Sequence, residues 1–146
     1  MEHSDLPPLN ITHEVSPEDK KYVCDNLWGY NLRVTDGLLK QPDVWINLVL
    51  KDEHGQVWGG IFCDTYLYCL YIDVMWLDER CRGQGYGQAL INEAERIARE
   101  AGCTFAHTST FSYQSPDFYQ RQGYQIYAVL DDFPDGIKEY FLKKKL

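Results

Sequence analysis

The first third of the chain shows a helical pattern of apolar and polar positions. Residues 13–35 follow this spacing, and Ser16 and Pro17 stand where a helix start favours them. Residues 36–43 interrupt the pattern, so we predict that the helix ends before them.

The next segment changes to a strand pattern. Residues 44–77 predict three strands, separated by a turn at 52–56 and by a shorter connection near 65–67. Several of these runs are apolar on both faces, which is typical of central strands in a sheet.

The second half alternates between the two patterns. Residues 86–101 predict the clearest helix, because apolar residues recur there at helical spacing: Tyr86, Leu90, Ala94, Ile97 and Ala101. A strand follows at 103–110, then a short helix at 115–123 and two closing strands at 124–133 and 138–146. This order predicts one domain, residues 1–146, of the α/β (α+β) class, with a mixed central sheet flanked by helices.

Composition and charge narrow the classes of function. The 146 residues suffice for one domain with a core, and the net charge of -8 disfavours nucleic-acid binding, which normally needs a basic face. A negative field favours cationic small molecules through steering. No run of about 18 apolar residues occurs, so we predict no membrane partner.

The cysteines and the first residues bear on location. The odd number of cysteines, five, and the lack of a C-x-x-C pair indicate reduced thiols, so we predict a cytoplasmic protein. Residues 1–10 lack the basic and apolar parts of a signal peptide, and we expect none.

The segment DERCRGQGYGQAL, residues 78–90, places glycines at 83, 85 and 87, where a helix is about to begin. Glycine costs backbone entropy, so its repetition indicates that something approaches the backbone closely. Free N–H groups at a helix start bind anions, and glycines let a pyrophosphate approach without a side-chain clash. The segment therefore predicts a phosphate site.

Two common phosphate motifs do not fit. The nucleoside-triphosphate loop requires a Gly-Lys pair, which occurs nowhere in the chain. The dinucleotide fingerprint requires glycine at position 88 or 90, where the chain has Gln88 and Leu90.

The remaining pattern, R-x-x-G-x-G, is formed by Arg82, Gly85 and Gly87. The stretch WLDERCRGQGYGQALINEAERIARE, residues 76–100, resembles motif A of the GNAT superfamily of acetyl-CoA-dependent N-acetyltransferases.

The rest of the chain supports this resemblance. Residues 115–125, SPDFYQRQGYQ, look like the family's F-Y-x-x-x-G-[FY] segment, and residues 131–146 resemble the closing hairpin of small prokaryotic members. The resemblance covers about residues 45–146.

The resemblance implies a sheet splayed between the family's strands 4 and 5, with acetyl-CoA in the gap as co-substrate and no metal. The fourth strand is LYIDVMWL, residues 70–77, whose backbone would bind the pantetheine arm. Leu77 and neighbouring amides would hold the acetyl carbonyl, where a preorganised donor suits the developing negative charge.

The resemblance also implies a set of cofactor-binding residues. The pyrophosphate would bind four backbone N–H groups, with Arg82 and Gly83 beginning the turn before them: Gln84, Gly85, Tyr86 and Gly87. Many members carry an asparagine that contacts pantetheine at the position of Ser112, so this contact would pass through Ser112 or move to Gln114.

The implied reaction is direct attack of an amine on the thioester in a ternary complex. Tyr119 stands where the family often has its general acid, and a phenol of pKa ~10 can protonate a thiolate whose conjugate acid is near ~8.5 only slightly uphill. Asp73, Glu79, His107 and a chain of water molecules all remain candidates for the base. Asp73 lies in an apolar strand, where burial should raise the pKa of its carboxyl.

The acceptor stays open between a small-molecule amine and a peptide amine. We expect its site to involve aromatic and polar residues: Trp28, Tyr30, Asn31, Trp45, Tyr66 and Tyr68. The alternative to an enzyme is a non-catalytic acetyl-CoA-binding sensor or interaction module, which would have no need for a phenol at Tyr119. Family members often dimerise, so a homodimer also stays open.

Overall fold

The chain divides into two compact units, residues 1–40 and 41–146. The computed structural model describes residues 6–39 and 43–146. Part of the predicted break, residues 40–42, lies outside the described residues, as do residues 1–5 of the segment tested for a signal peptide.

The first unit contains one helix, α1, which spans Pro17–Val34 and begins where the sequence predicts. The Ser16 hydroxyl accepts the N–H of Asp19 at 3.0 Å, and the Asp19 carboxylate accepts the N–H of Ser16 at 3.1 Å. This reciprocal pair forms a capping box, which satisfies two donors at the helix start. No residue of α1 is buried.

The second unit is built on a mixed six-stranded sheet, as predicted. Its strands are β1 Trp45–Lys51, β2 Val57–Tyr66, β3 Cys69–Leu77, β4 Phe105–Phe111, β5 Gln125–Leu130 and β6 Glu139–Lys145. They lie in the order β1-β2-β3-β4-β6-β5, and β3 and β4 are the parallel pair among antiparallel neighbours. The β2–β3 turn lies at Leu67 and Tyr68, slightly later than predicted, with φ of 43° and 62°.

Two helices accompany this sheet, α2 at Tyr86–Glu100 and α3 at Pro116–Arg121, and both were predicted. The apolar stripe of α2 packs on one face of the sheet, and each fully buried leucine or isoleucine stabilises this contact by about 1.5–3 kcal/mol. The core includes residues from α2, α3 and the strands: Ile46, Ile61, Leu70, Ile72, Leu90, Ile91, Ala94, Ala98, Ala106, Tyr119 and Leu142.

The sheet opens between β3 and β4, which correspond to the family's strands 4 and 5. Pairing runs from Cys69–Phe105 to Ile72–Thr108 and then stops, although both strands continue. At this point the Thr108 hydroxyl donates to the Ile72 carbonyl at 2.9 Å. The next residue, Asp73, is an extra residue in the β2–β3 ladder, because Phe62 pairs with Val74 and Cys63 with Ile72. This bulge bends β3 away from β4, and the predicted splay is confirmed.

Among the helices of residues 6–39 and 43–146, none combines the length and the apolar character needed to cross a bilayer.

Candidate functional site

The chain leaves β3 through a tight turn before α2 begins. A 3-10 turn covers Glu79–Cys81, and the Asp78 carboxylate accepts the N–H of Arg80 at 2.9 Å. Gly83 and Gly85 then adopt left-handed backbone, with φ of 75° and 87°. A residue with a Cβ is strained in this region, which explains these two glycines.

The start of α2 leaves a continuous row of backbone donors without acceptors. Within the described part of the chain, none of the N–H groups from Gly83 to Gln88 has a hydrogen-bond acceptor, and the first one that does is Ala89, which donates to Gly85 at 3.0 Å. No described side chain caps the helix, and its first turn has no acidic residue. The row carries the positive end of the helix dipole, so it suits an anion such as a pyrophosphate.

The three alternate glycines do not share one role. A Cβ at Gly83 or Gly85 would meet nothing within 4 Å, so the space above them is open. A Cβ at Gly87 would lie 3.1 Å from two ring atoms of Phe118 and 3.5 Å from Cε of Met75. Gly87 is therefore small because α3 packs against it, and our expectation that it clears space for pyrophosphate needs correction; its N–H still belongs to the open row.

Arg82 and Gln84 fold back onto the turn. The Arg82 guanidinium donates to the Leu77 carbonyl from Nε at 3.2 Å and from a terminal nitrogen at 3.1 Å. The Gln84 amide donates to the Arg80 carbonyl at 3.0 Å. These contacts brace the loop, so Gln84 offers its backbone N–H to a ligand. Arg82 retains guanidinium N–H groups that have no acceptor among the described residues.

The end of β3 presents unpaired peptide groups to the opening. Leu77 pairs with Gly59 of β2, and the following hydrogen bond runs from the Asp78 N–H to the Trp58 carbonyl at 2.9 Å. Peptide groups alternate in direction along such a ladder, so the N–H groups of Leu77 and Met75 point away from β2. They point to the side where β4 no longer pairs with β3.

Tyr119 lies in α3 and is 7% exposed. Its ring packs against Phe118 and Tyr124, with centroids 5.4 Å and 5.9 Å away. Burial raises the pKa of Tyr119 to about 12, although the Thr108 hydroxyl acts in the opposite direction. Thr108 is the last residue of β4 that pairs with β3, so the phenol lies close to the vertex of the opening. With its raised pKa, the phenol keeps its proton at neutral pH.

The two carboxylates that are candidates for the base, Asp73 and Glu79, are both exposed. Asp73 is exposed at the bulge, so the expectation that it is buried in an apolar strand was wrong, because periodicity cannot foresee a bulge. Glu79 is exposed in the 3-10 turn after β3. Both carboxylates are accessible to a substrate.

His107 is less suited to the role of base. Its Nε2 lies 2.7 Å from the hydroxyl of Tyr66. Burial lowers the pKa of His107 and raises the pKa of Tyr66 to about 12, so the phenol donates to a neutral imidazole. The Nε2 lone pair is then occupied.

Ser112 and Gln114 have structural partners. The Ser112 hydroxyl accepts the N–H of Lys138 at 3.1 Å, which ties the end of β4 to the start of β6. The Gln114 side-chain carbonyl accepts the N–H of Phe111 at 2.9 Å. Both side chains shape the connection to α3, and their contact with pantetheine stays a prediction.

The residues expected at the acceptor site lie on several elements. Trp28, Tyr30 and Asn31 are on α1, whereas Trp45 is on β1 and Tyr66 ends β2. The backbone of the sixth, Tyr68, accepts the N–H of Thr104 at 2.8 Å in the β2–β3 turn.

Three residues that shape the site were missed in the sequence. A Cβ at Gly59 would lie 2.8 Å from the Trp76 carbonyl oxygen, so glycine lets β2 approach β3 here. The adjacent glycines 59 and 60 inside a strand were a usable signal of such an approach. Phe118 and Thr108 left no comparable signal, because their roles arise from contacts between distant parts of the chain.

Comparisons with known proteins agree with the fold. A model of the acetyltransferase (GNAT) family matches residues 10–124. Blasticidin-S acetyltransferase from Streptomyces morookaense is 40% identical over 95 residues, which cover 64% of this chain and 70% of the relative. The crystal structure of an acetyltransferase from Bacillus cereus ATCC 14579 has a TM-score of 0.85 and 36% identity, covering 94% of this chain and 98% of that chain. A structure from Bacillus anthracis strain Ames with bound acetyl coenzyme A shares the fold, with a TM-score of 0.62, 20% identity and coverage of 72% and 64%.

Proposed function

Because the chain belongs to the acetyltransferase (GNAT) family and is an N-acetyltransferase, we propose that it acetylates a primary amine of a small molecule or a peptide with acetyl-CoA. One observation carries this proposal: six successive N–H groups, from Gly83 to Gln88, lack acceptors within the described residues. They suit the pyrophosphate, and the unpaired peptide groups of β3 suit the amides of pantetheine. The structural neighbour with bound acetyl coenzyme A supports this choice of co-substrate.

The unpaired N–H groups at the end of β3 would polarise the acetyl carbonyl. Leu77 and Met75 both direct this group towards the opening, as their register requires. The amine nitrogen forms a bond to the carbonyl carbon, and the carbonyl electrons move to an oxygen held by these donors. When the carbon–sulfur bond breaks, its electron pair leaves with the thiolate of CoA.

Tyr119 would supply the proton that the departing thiolate needs. A phenol of pKa about 12 lies about 3.5 units above an ordinary thiol of ~8.5, a free-energy gap of about 5 kcal/mol. The proton transfer therefore costs more free energy than a phenol with the unshifted pKa of ~10 would require. Burial also disfavours the thiolate and raises the pKa of its conjugate acid, so the gap narrows inside the opening.

The attacking amine must also lose a proton. An alkyl ammonium of pKa ~10.4 is free base in about one molecule in a few thousand at neutral pH. Asp73 is exposed before the end of β3, and Glu79 is exposed in the turn after it. Either carboxylate can accept this proton directly or through water.

Calorimetric titration tests the cofactor site first. We expect acetyl-CoA to bind with micromolar affinity, and desulfo-CoA and adenosine diphosphate separate the contributions of pantetheine and pyrophosphate. Release of free thiol from acetyl-CoA with a panel of amines then tests catalysis. Absence of cofactor binding would mean that the glycines serve only the turn, and binding without thiol release would indicate a non-catalytic module.

Replacement of Tyr119 by phenylalanine tests the acid. We expect Tyr119→Phe to lower kcat by about 100-fold, because general acid catalysis contributes ~10²–10⁴, while Kd for acetyl-CoA changes less than about twofold. The exposed Tyr127→Phe on β5 is the matched control and should leave both quantities unchanged. Since Tyr119 has a pKa of about 12, wild-type kcat should not fall between about pH 8 and about pH 10 from loss of its proton. Unchanged kcat in Tyr119→Phe would reject the assignment.

A further inference from the structure

The sheet face opposite α2 carries a row of polar and aromatic side chains. Asp64 pairs with Trp45 on one side and with Tyr71 on the other, and Tyr71 pairs with His107. Asp64, Tyr71 and His107 each stand between two buried residues, and Trp45 precedes the buried Ile46. The core residues among these neighbours face α2, so the row lies on the other face.

Asp64 is unusual in this row because its carboxylate is incompletely satisfied. Its Oδ1 is buried and has no hydrogen-bond partner among the described residues. Burial raises the pKa of Asp64, and the carboxylates of Asp43 and Asp73 raise it further. Within residues 6–39 and 43–146, none of these three acids forms an ion pair.

Glu95, a carboxylate of the same unit, shows how the fold satisfies a buried acid that serves only the structure. Glu95 of α2 is 2% exposed, and Nζ of Lys144 lies 2.9 Å from both of its oxygens. The hydroxyl of Tyr124 donates to it at 3.1 Å, and Arg99 lies at 3.4 Å. The fold supplies cations to Glu95, whereas residues 6–39 and 43–146 supply none to Asp64, so its carboxylate is open to a cation from a ligand.

The neighbours of Asp64 suit such a cation. Trp45 is 71% exposed and lies opposite Asp64, and residues opposite each other in a sheet have Cβ atoms about 4.5–5.5 Å apart. Tyr71 and His107 have ring centroids 5.0 Å apart, and burial lowers the pKa of His107, so it is neutral and does not repel a cation. Carboxylates next to aromatic faces bind ammonium and guanidinium groups.

The row includes Tyr71 of β3, the same strand whose N–H groups would hold the acetyl carbonyl. Tyr71 precedes Met75 by four residues, which corresponds to roughly 13 Å along a strand, and the exposed Asp73 lies between them. A molecule whose amine reaches the opening can therefore extend a second group to Asp64.

We infer that Asp64, with the rings of Trp45 and Tyr71, binds a second cationic group of the acceptor amine. The inference rests on the proposed amine acetylation and names the substrate class: amines that carry a further ammonium or guanidinium group. Asp64 acts as a specificity residue and takes no part in the proton transfers.

Agmatine, which has a guanidinium besides its amine, and pentylamine, which has no second charge, are the test pair, with spermidine as a longer probe. We expect wild-type KM for agmatine to be at least about tenfold below KM for pentylamine, as for a charged hydrogen bond. Asp64→Asn should raise KM for agmatine by at least about tenfold and leave KM for pentylamine and Kd for acetyl-CoA within about twofold. The exposed Asp132→Asn is the control for loss of one negative charge and should change none of these values.

Asp64→Asn should also melt at the same or a higher temperature without ligand, because it removes an unpaired carboxylate. If that variant does not fold, the wild-type preference for agmatine over pentylamine tests the same site. Equal KM values for the two amines in the wild type, or an equal loss of both in Asp64→Asn, would overturn the inference.

A binding measurement separates this inference from the proposed function. Agmatine is titrated calorimetrically into protein saturated with CoA. Binding that Asp64→Asn abolishes, without any acetylation, would support the cation site and reject amine acetylation by this chain. Acetylation of amines without preference for a second charge would reject the cation site alone.

Discussion

At the N-terminus of α1 the chain supplies its own acceptors, whereas at the N-terminus of α2 residues 6–39 and 43–146 supply none. The Ser16 hydroxyl and the Asp19 carboxylate satisfy each other's N–H groups, and Pro17 removes a further donor. At α2 the capping position is Gly85, which has no side chain, and the N–H groups from Gly83 to Gln88 have no acceptor in the described chain.

The two helix starts also differ in the charge of their first turns. The first turn of α1 contains Glu18 and Asp19, which complement the positive end of the helix dipole, while the first turn of α2 has no acidic residue. Helix stability alone would favour a cap and an acid at both ends. With glycine at the capping position, the α2 start forgoes only a few tenths of a kcal/mol from the cap and about 0.3–1 kcal/mol from the acid. The pyrophosphate of acetyl-CoA, as proposed above, fills the place of the missing cap.

The strongest way to break this contrast is to give α2 the acid that α1 has. Gln88 is exposed in the first turn of α2, so Gln88→Glu places a carboxylate beside the open N–H groups. We expect Kd for acetyl-CoA to rise about 100-fold, because the new charge repels the pyrophosphate at an effective dielectric constant of about 20. Calorimetric titration measures the change, and added salt should reduce it.

The matched control for this variant is Gln56→Glu, which makes the same change of charge in the exposed β1–β2 turn. It should leave Kd within about twofold, and thermal melting should show Gln88→Glu slightly stabilised in the absence of ligand. An equal loss of affinity in both variants would mean that net charge, and not the open helix start, controls binding.

A second variant separates the packing role of Gly87 from the backbone roles of its neighbours. Gly87→Ala places a Cβ 3.1 Å from the Phe118 ring, so we expect a loss of about 1–2 kcal/mol in the free energy of unfolding, net of alanine's better helix propensity. Chemical denaturation measures this loss, and Phe118→Leu in the same chain should recover part of it. If Phe118→Leu recovers nothing, the close contact does not explain the glycine.

The elements that the sequence predicted well are those with local causes. The helix Tyr86–Glu100 follows from apolar residues three and four positions apart, and the start of α1 follows from Ser16 and Pro17. The mixed sheet follows from the order of the elements, but its splay came from the family resemblance, since pairing that ends at Ile72 leaves no local trace.

The sequence predicted less of the site than of the fold, because several features of the site depend on contacts between distant residues. The open backbone at Gly83 and Gly85 follows from glycine's tolerance of positive φ, so composition alone indicates it. The exposure of Asp73 depends on a bulge, and the packing of Gly87 depends on Phe118, which is distant in the chain. Asp64 escaped notice because an unpaired carboxylate is defined by what surrounds it in the fold, and the sequence shows only one acid in a strand.

The smallest expected effect comes from making α1 resemble α2. Ser16→Ala removes the hydroxyl that caps Asp19, so we expect a loss of about 1 kcal/mol from the stability of the first turn and faster hydrogen exchange at the N–H of Asp19. Ser16→Asp retains an acceptor, so the N–H of Asp19 should exchange as in the wild type.

Because α1 has an acid where α2 has open donors, Ser16→Ala should not create an anion site, and Kd for acetyl-CoA should stay within about twofold. A marked loss of acetyl-CoA affinity in Ser16→Ala, with Ser16→Asp unaffected, would show that the cap of α1 also serves the cofactor, and the contrast between a structural and a functional helix start would fail.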